Sequence, residues 1–304
     1  MNTMNTRIAA LLTCTALFTA CGVDDASNDD DEDITDIYAD DDEVPVTGRT
    51  VIMGAKGPFV ATYSVLGDRA IVDGDIDIGP VDELTEFDDE TLDTVAAGKL
   101  PGARAFSPIP VWGNRWASGV VFYKIDPDAS DATRNTIIAA VQDFDSKTQL
   151  TFVRDNTPPT DHIYFTWSFD VSGGGGVSDS VGRKGGRQYI RFSLDSFVDG
   201  VNYGTVQHEV GHAIGLYHEH QRADRDSYVT VIWPCIQPGK EGNFEIRTGV
   251  NYTSYDVRSL MHYRSSSARL NANCKTLVTK SGGTITDAMN SLTQNDIAGI
   301  NAIY

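Results

Sequence analysis

The sequence predicts an α+β protein, a small β-rich unit followed by a larger mixed domain, on three observations. Short β-branched runs interrupted by turn residues occupy the stretch after Gly48. An amphipathic stretch of helical period begins at Asp131, and the runs HIYFTWS and QYIRFSL flank a loop carrying SGGGG. Short β-branched and aromatic runs bounded by glycine read as strands, and apolar positions recurring every three to four residues read as a helix. With 304 residues and 40% hydrophobic content, the chain can bury a sizeable core.

Taken in order, the chain opens with Arg7 as the only charge ahead of IAALLTCTALFTA, an apolar run too short for a comfortable membrane span. Residues 1–21 therefore read as an export signal. Its end, LFTAC, resembles a bacterial lipobox, in which Cys21 becomes lipidated and forms an N-terminal anchor. Phe18 stands where that signal most often has leucine, and an ordinary secretory signal cut nearby is the other reading. Residues 22–47 are mostly acidic, with too little apolar surface to offset the entropy of ordering, and read as an extended, self-repelling linker.

Residues 48–104 hold the β-rich unit. TVIMG, FVATYSVL and AIVDGDIDIG are broken by GAKGP and GD, which suggests a small antiparallel arrangement, and VDELTEFDDETLDTVAAGKL follows at roughly helical spacing. LPGARAFSPIPVWGN, rich in proline and glycine, marks a boundary to the second domain, residues 105–304. That domain opens with ASGVVFYKID as a strand and DATRNTIIAAVQDFDSKT as a helix that Asp131 is placed to cap.

The net charge of −19 is unevenly spread. Residues 1–104 hold 6 Lys or Arg against 23 Asp or Glu, while residues 105–304 hold 18 against 20. The acidity excludes a nucleic-acid partner and leaves the C-terminal domain nearly neutral. Cys14 leaves with the signal and Cys21 is committed at its end. Cys235 and Cys274 are then the remaining thiols of an exported chain, which points to one disulfide. A zinc site at these cysteines would want a second ligand about two to four residues away, and each is isolated.

Residues 208–219 read HEVGHAIGLYHE. Two histidines four apart share one face of a helix, so His208 and His212 can present imidazoles to one ion with Glu209 beside them. A third ligand must arrive from another direction, after a sharp turn. Gly215 supplies that turn, because glycine takes positive φ without penalty, and His218 follows. Three neutral nitrogens with one open position describe a catalytic zinc site, at which Glu209 would take the proton of the attacking water. In proteases with this spacing, the metzincins, a methionine turn lies under the imidazoles, and SLMHY at 259–263 supplies Met261.

HEVGHAIGLYHE together with SLMHY resembles the astacin family of zinc endopeptidases. WASGVVFYKID, SVGRKGGRQ, HEHQRADRDSYVTVIW, CIQPGKEGNF and LTQNDIAGINAIY resemble astacin segments in the expected order. The resemblance implies a two-lobed metzincin (astacin-like) catalytic domain whose long active-site helix runs through the floor of a cleft. It implies one Zn2+ per chain on His208, His212 and His218, with Glu209 as general base. Tyr263 would be a further zinc ligand in the resting enzyme that swings away to bind the oxyanion. Glu219, following the third histidine, is the residue that separates metzincin families. His162, His220 and His262 match no ligand position and read as structural.

The segment YSVLGDRAIVDGDIDIG resembles astacin propeptides, in which an aspartate of a GDI motif plugs the zinc until the segment is removed. That aspartate would be Asp75, although Asp73 and Asp77 crowd the same stretch. Animal members carry two disulfides in the catalytic domain whose cysteine positions are not filled here, so Cys235–Cys274 would be a different staple. Where the resemblance puts an arginine that selects acidic residues just after the cut bond, this chain has Met289. A weak acidic preference follows, unless Lys280 or Arg264 reaches in.

Two function classes result. One is a latent, secreted or lipid-tethered zinc endopeptidase acting on extracellular proteins or peptides, expected as a monomer that meets the membrane only through its anchor. The other is a catalytically silent zinc-binding surface module, an adhesin or pseudoprotease. A silent descendant is free to lose Glu209 and Tyr263, and both are present.

Overall fold

A computed structural model describes residues 46–54, 57–99, 114–171, 175–194, 196, 200–247, 251–286, 288 and 291–304. The expected signal and linker, Cys21, most of the boundary loop and Met289 lie outside the described residues. In chain order the elements are β1 (Thr47–Gly54), β2 (Gly57–Leu66), β3 (Arg69–Val72), β4 (Ile76–Pro80), α1 (Asp89–Ala96), β5 (Val120–Ile125), α2 (Asp131–Lys147), β6 (Thr151–Arg154), β7 (His162–Ser168), β8 (Gly176–Ser178), β9 (Arg187–Ser193), α3 (Tyr203–Ala213), β10 (Val229–Val231), β11 (Leu277–Thr279) and α4 (Gln294–Ile303).

One sheet runs β1-β2-β3-β4-β8-β9-β7-β5-β6, and β10 pairs with β11 apart from it. Strands β1 to β4 are antiparallel, as the short runs broken by glycine suggest. They do not form a separate unit. Ile76 of β4 lies parallel to Ser178 of β8, and the Ser178 amide donates to the Asp75 carbonyl at 2.9 Å. The reason is an open edge: β8 would otherwise leave its amides and carbonyls unpaired. Ile52, Ala61, Val72 and Ile76 then share an apolar cluster with Val181 from the larger domain.

Helix α2 buries Ile137, Ala140, Val141 and Phe144 against the sheet. Its cap is Ser130 rather than Asp131: the Ser130 Oγ accepts the Thr133 amide at 3.2 Å. Asp131 falls in the first turn, where its charge meets the positive end of the helix dipole. Helix α3 is buried on every side from Gly204 to Ala213. A helix sealed this way must satisfy its last carbonyls inside the protein. The indole of Trp116 donates to the Ala213 carbonyl at 2.9 Å, Gly182 N to that of His212 at 2.7 Å, and the Tyr304 hydroxyl to that of Ile214 at 2.8 Å.

Two apolar cores flank α3. One joins Val206, Val210 and Met261 to Phe144, Phe165 and Phe192, and the other gathers Val229, Phe244, Tyr255, Tyr263 and Leu277. This is the two-lobed arrangement expected. Cys235 and Cys274, the expected disulfide, are half-buried free thiols here. Among the described residues, no helix is long and apolar enough to cross a membrane.

Helix α4 fixes the methionine turn. Asp296 closes a capping box with Thr293, and its Oδ1 accepts Ser259 Oγ at 2.6 Å while Oδ2 accepts Leu260 N at 2.9 Å. Asp296→Ala strands these buried donors, and a loss of about 3 kcal/mol in denaturant unfolding is expected. A loss below about 1 kcal/mol would show that the turn does not depend on this carboxylate.

Candidate metal centre

His208 and His212 stand one turn apart on α3, and Gly215, at φ +109°, reverses the chain so that His218 faces them. His212 Nε2 lies 3.1 Å and His218 Nε2 3.2 Å from His208 Nε2. Metal–nitrogen bonds of about 2.0–2.1 Å at tetrahedral angles separate ligand atoms by about 3.3 Å. The other face of two of the rings sets their tautomer: His208 Nδ1 donates to the Leu260 carbonyl and His212 Nδ1 to that of Leu216, each at 2.9 Å. A carbonyl only accepts, so Nδ1 carries the hydrogen and Nε2 keeps its lone pair for a metal.

A fourth donor is in place. Asp75 sits in the turn between β3 and β4, with Oδ2 3.0 Å from His218 Nε2 and 3.2 Å from His208 Nε2, and Oδ1 3.4 Å from His212 Nε2. Among the described residues, these four can hold one ion together, and all of them are buried. Three imidazoles with one carboxylate suit zinc in both softness and geometry. Burial alone would push the Asp75 carboxyl up, but with a proton held among the imidazoles the fields of His218 and His212 and hydrogen bonds from His208 and His212 hold it well below the usual range.

Gly74 makes this approach possible. It has φ +95°, and a Cβ there would lie 2.5 Å from the Tyr263 hydroxyl and 2.9 Å from Asn243 Nδ2. Glu209 is equally confined: a Cβ on Gly176 would stand 2.6 Å from its Cγ. Burial, and then the negative charge of Asp75, hold the Glu209 carboxyl well above its ordinary value, and Glu209 Oε2 has no hydrogen-bond partner among the described residues.

Tyr263 directs its hydroxyl to the Asp73 carbonyl at 2.6 Å, while its ring stacks on His220 at 4.0 Å between centroids. Met261 is buried against α3, its Sδ filling the space a side chain at Gly211 would need. Glu219 accepts Asp256 N at 2.9 Å and Arg222 Nη1 at 3.0 Å, and burial raises its carboxyl to about 7. It bonds outside the metal cluster. His220 bonds the Asn243 carbonyl, His162 that of Pro159, and His262 links Tyr255 to the Tyr263 carbonyl, the structural roles expected. Burial lowers His262 to about 4 and His220 well below its usual value.

Neither basic residue considered as a substrate selector is free in the cleft. Arg264 donates Nε to the Ala288 carbonyl, and Lys280 reaches Thr230 on the small sheet. Arg247, absent from the sequence motifs, grips Asp73 from 174 residues away with Nη2 2.6 Å from Oδ1 and Nε 3.3 Å from Oδ2. Nothing in local spacing marks that pair.

The sequence profile of the peptidase family described as Astacin matches residues 111–304. The zinc metalloproteinase nas-15 of Caenorhabditis elegans is 28% identical over 228 residues, 73% of this chain and 38% of that protein. Zinc metalloproteinase nas-4 of the same species is 33% identical over 56% of this chain and 52% of its own length. The chain thus spans about half, or less, of the curated relatives it matches. High choriolytic enzyme 1, a hatching-enzyme zinc protease of the medaka Oryzias latipes, superposes with a TM-score of 0.55 at 31% identity, covering 64% of this chain and 94% of that one. With the histidine cluster built as described, the chain belongs to the astacin family.

Proposed function

We propose that the protein is a zinc-dependent endopeptidase made as a latent precursor, with Asp75 as the plug. The observation that carries this reading is the convergence of three imidazole Nε2 atoms, two of them tautomer-fixed, beside the buried Glu209, with the Asp75 carboxylate in the fourth position. His208, His212 and His218 hold the metal, which when bound polarises a carbonyl and lowers the pKa of a coordinated water towards about 7. Glu209 accepts the proton of the attacking water and passes it to the leaving amine. Departure of the β3–β4 turn removes the Asp75 charge from beside Glu209 and frees the Tyr263 hydroxyl from Asp73, so that it can donate to the developing oxyanion. Met261 keeps the floor beneath the imidazoles apolar and filled.

In this reading the chain is exported and works as a monomer on proteins or peptides. Cys21 anchors it by lipid, the acidic linker serves as tether, and Cys235 and Cys274 close into a disulfide in an oxidising compartment. The silent-adhesin reading is disfavoured by the retention of Glu209 and Tyr263.

Glu209→Gln leaves the metal ligands untouched. In protein freed of residues 1–104 it is expected to keep one zinc by elemental analysis and lose at least about a hundredfold in kcat against casein. Near-normal turnover at full occupancy would contradict the general-base role. Latency is tested in the uncut chain, where Asp75→Ala or Gly74→Ala is expected to leak peptidase activity. An uncut wild-type chain as active as the trimmed one would end the plug reading.

A further inference from the structure

Arg247 is buried, and the division of its guanidinium between the two parts of the chain is uneven. Its Nη1 goes to Glu245 at 2.9 Å, within its own domain. Its Nε and Nη2 edge, the one shaped to take both oxygens of a carboxylate, is given to the pro-segment's Asp73. The flat face is covered by Phe59 of β2 at 5.5 Å from the ring centroid. Around it the pro-segment lies close on the loop that carries Arg247: a Cβ on Gly242 would stand 2.9 Å from Thr62, and Ser64 Oγ meets the Gly239 carbonyl at 3.4 Å. Asp73 itself is fully buried and held at φ 57°, a left-handed conformation that costs a non-glycine residue free energy. A strained residue is kept where its carboxylate meets this cation.

Removal of the pro-segment uncovers that edge. Glu245 is already engaged at Nη1 and cannot serve the opposite edge at the same time. The carboxylate-shaped edge of the arginine then opens where Asp73 stood, and Asp73 is two residues along the chain from the plugging Asp75.

Building on the peptidase reading, we propose that Arg247 is a substrate-selecting residue that receives an Asp or Glu side chain within about two residues of the cut bond, and that Asp73 occupies this subsite in the precursor. The acidic preference that Met289 argues against at one subsite is thereby supplied from another element. A carboxylate gains two charge-assisted hydrogen bonds at the Nε–Nη2 edge, whereas an isosteric amide offers that edge one neutral acceptor in place of two charged ones.

The test is cleavage-site profiling of a proteome-derived peptide library by the zinc-loaded protein freed of its pro-segment. It is followed by kcat/KM on matched peptides carrying Asp or Asn at the enriched position, for wild type, Arg247→Lys and Arg247→Gln. Wild type is expected to enrich Asp and Glu at one flanking position and to favour the Asp peptide by about tenfold or more. That ratio should shrink in Arg247→Lys, which cannot bind bidentately, and approach one in Arg247→Gln. Cleavage without acidic enrichment, or an Asp-to-Asn ratio unchanged in both variants, overturns the assignment while leaving the peptidase reading intact. If the variants fail to fold, the wild-type ratio still decides: a value near one overturns the assignment. Absence of cleavage of any peptide overturns the peptidase reading and this assignment with it.

Discussion

Three imidazole nitrogens, those of His212 and His218 standing 3.1 and 3.2 Å from that of His208, repel unless a cation, or a proton, stands between them. Much of the molecule serves to hold them there. Carbonyls of Leu260 and Leu216 fix two rings by their far nitrogens, and the left-handed Gly215 brings the third round. The carbonyl of Leu260 is itself placed by the methionine turn, which Asp296 ties to the last helix. A chain of hydrogen bonds thus runs from the C-terminal helix to the metal ligands, and this explains why a carboxylate remote from the chemistry is buried at all.

The same cluster explains the reach of the N-terminal strands. A carboxylate is the natural fourth partner for three such nitrogens, and Asp75 can be delivered only if the β3–β4 turn passes through the narrow gap beside Tyr263 and Asn243 that glycine alone fits. Strand pairing with β8, the Asp73–Arg247 ion pair and the Tyr263 hydroxyl bond hold that turn on three sides. A buried pair with one partner on a removable segment is costly to break and leaves its other partner seeking a counter-ion. On the proposed reading, latency and substrate choice are linked through this one arginine.

Features set by local spacing were legible in the sequence. The histidines at intervals of four and six and Gly215 as the turn stand where their spacing implies, and Met261 in SLMHY and Asp75 in GDI stand where the resemblance to astacins puts them. The strands HIYFTWS and QYIRFSL became β7 and β9. What could not be read depends on partners far apart in the chain. The merging of the β-rich unit into the main sheet rests on Ile76 meeting Ser178, and Arg247 gains meaning only from Asp73. Neighbouring cap candidates were also beyond reach, since Ser130 and Asp131 are both good caps and only the backbone dihedrals choose between them.

The central claim is that a pro-segment carboxylate completes a three-histidine zinc centre. X-ray absorption at the zinc edge, recorded on the uncut chain and on its Asp75→Ala variant, tests it most directly. The account predicts three nitrogen ligands and one carboxylate oxygen at about 2.0–2.1 Å in the uncut protein, with the carboxylate signature lost in the variant while the three nitrogens remain. Identical spectra from the two proteins, or a metal bound without three imidazoles, would contradict it.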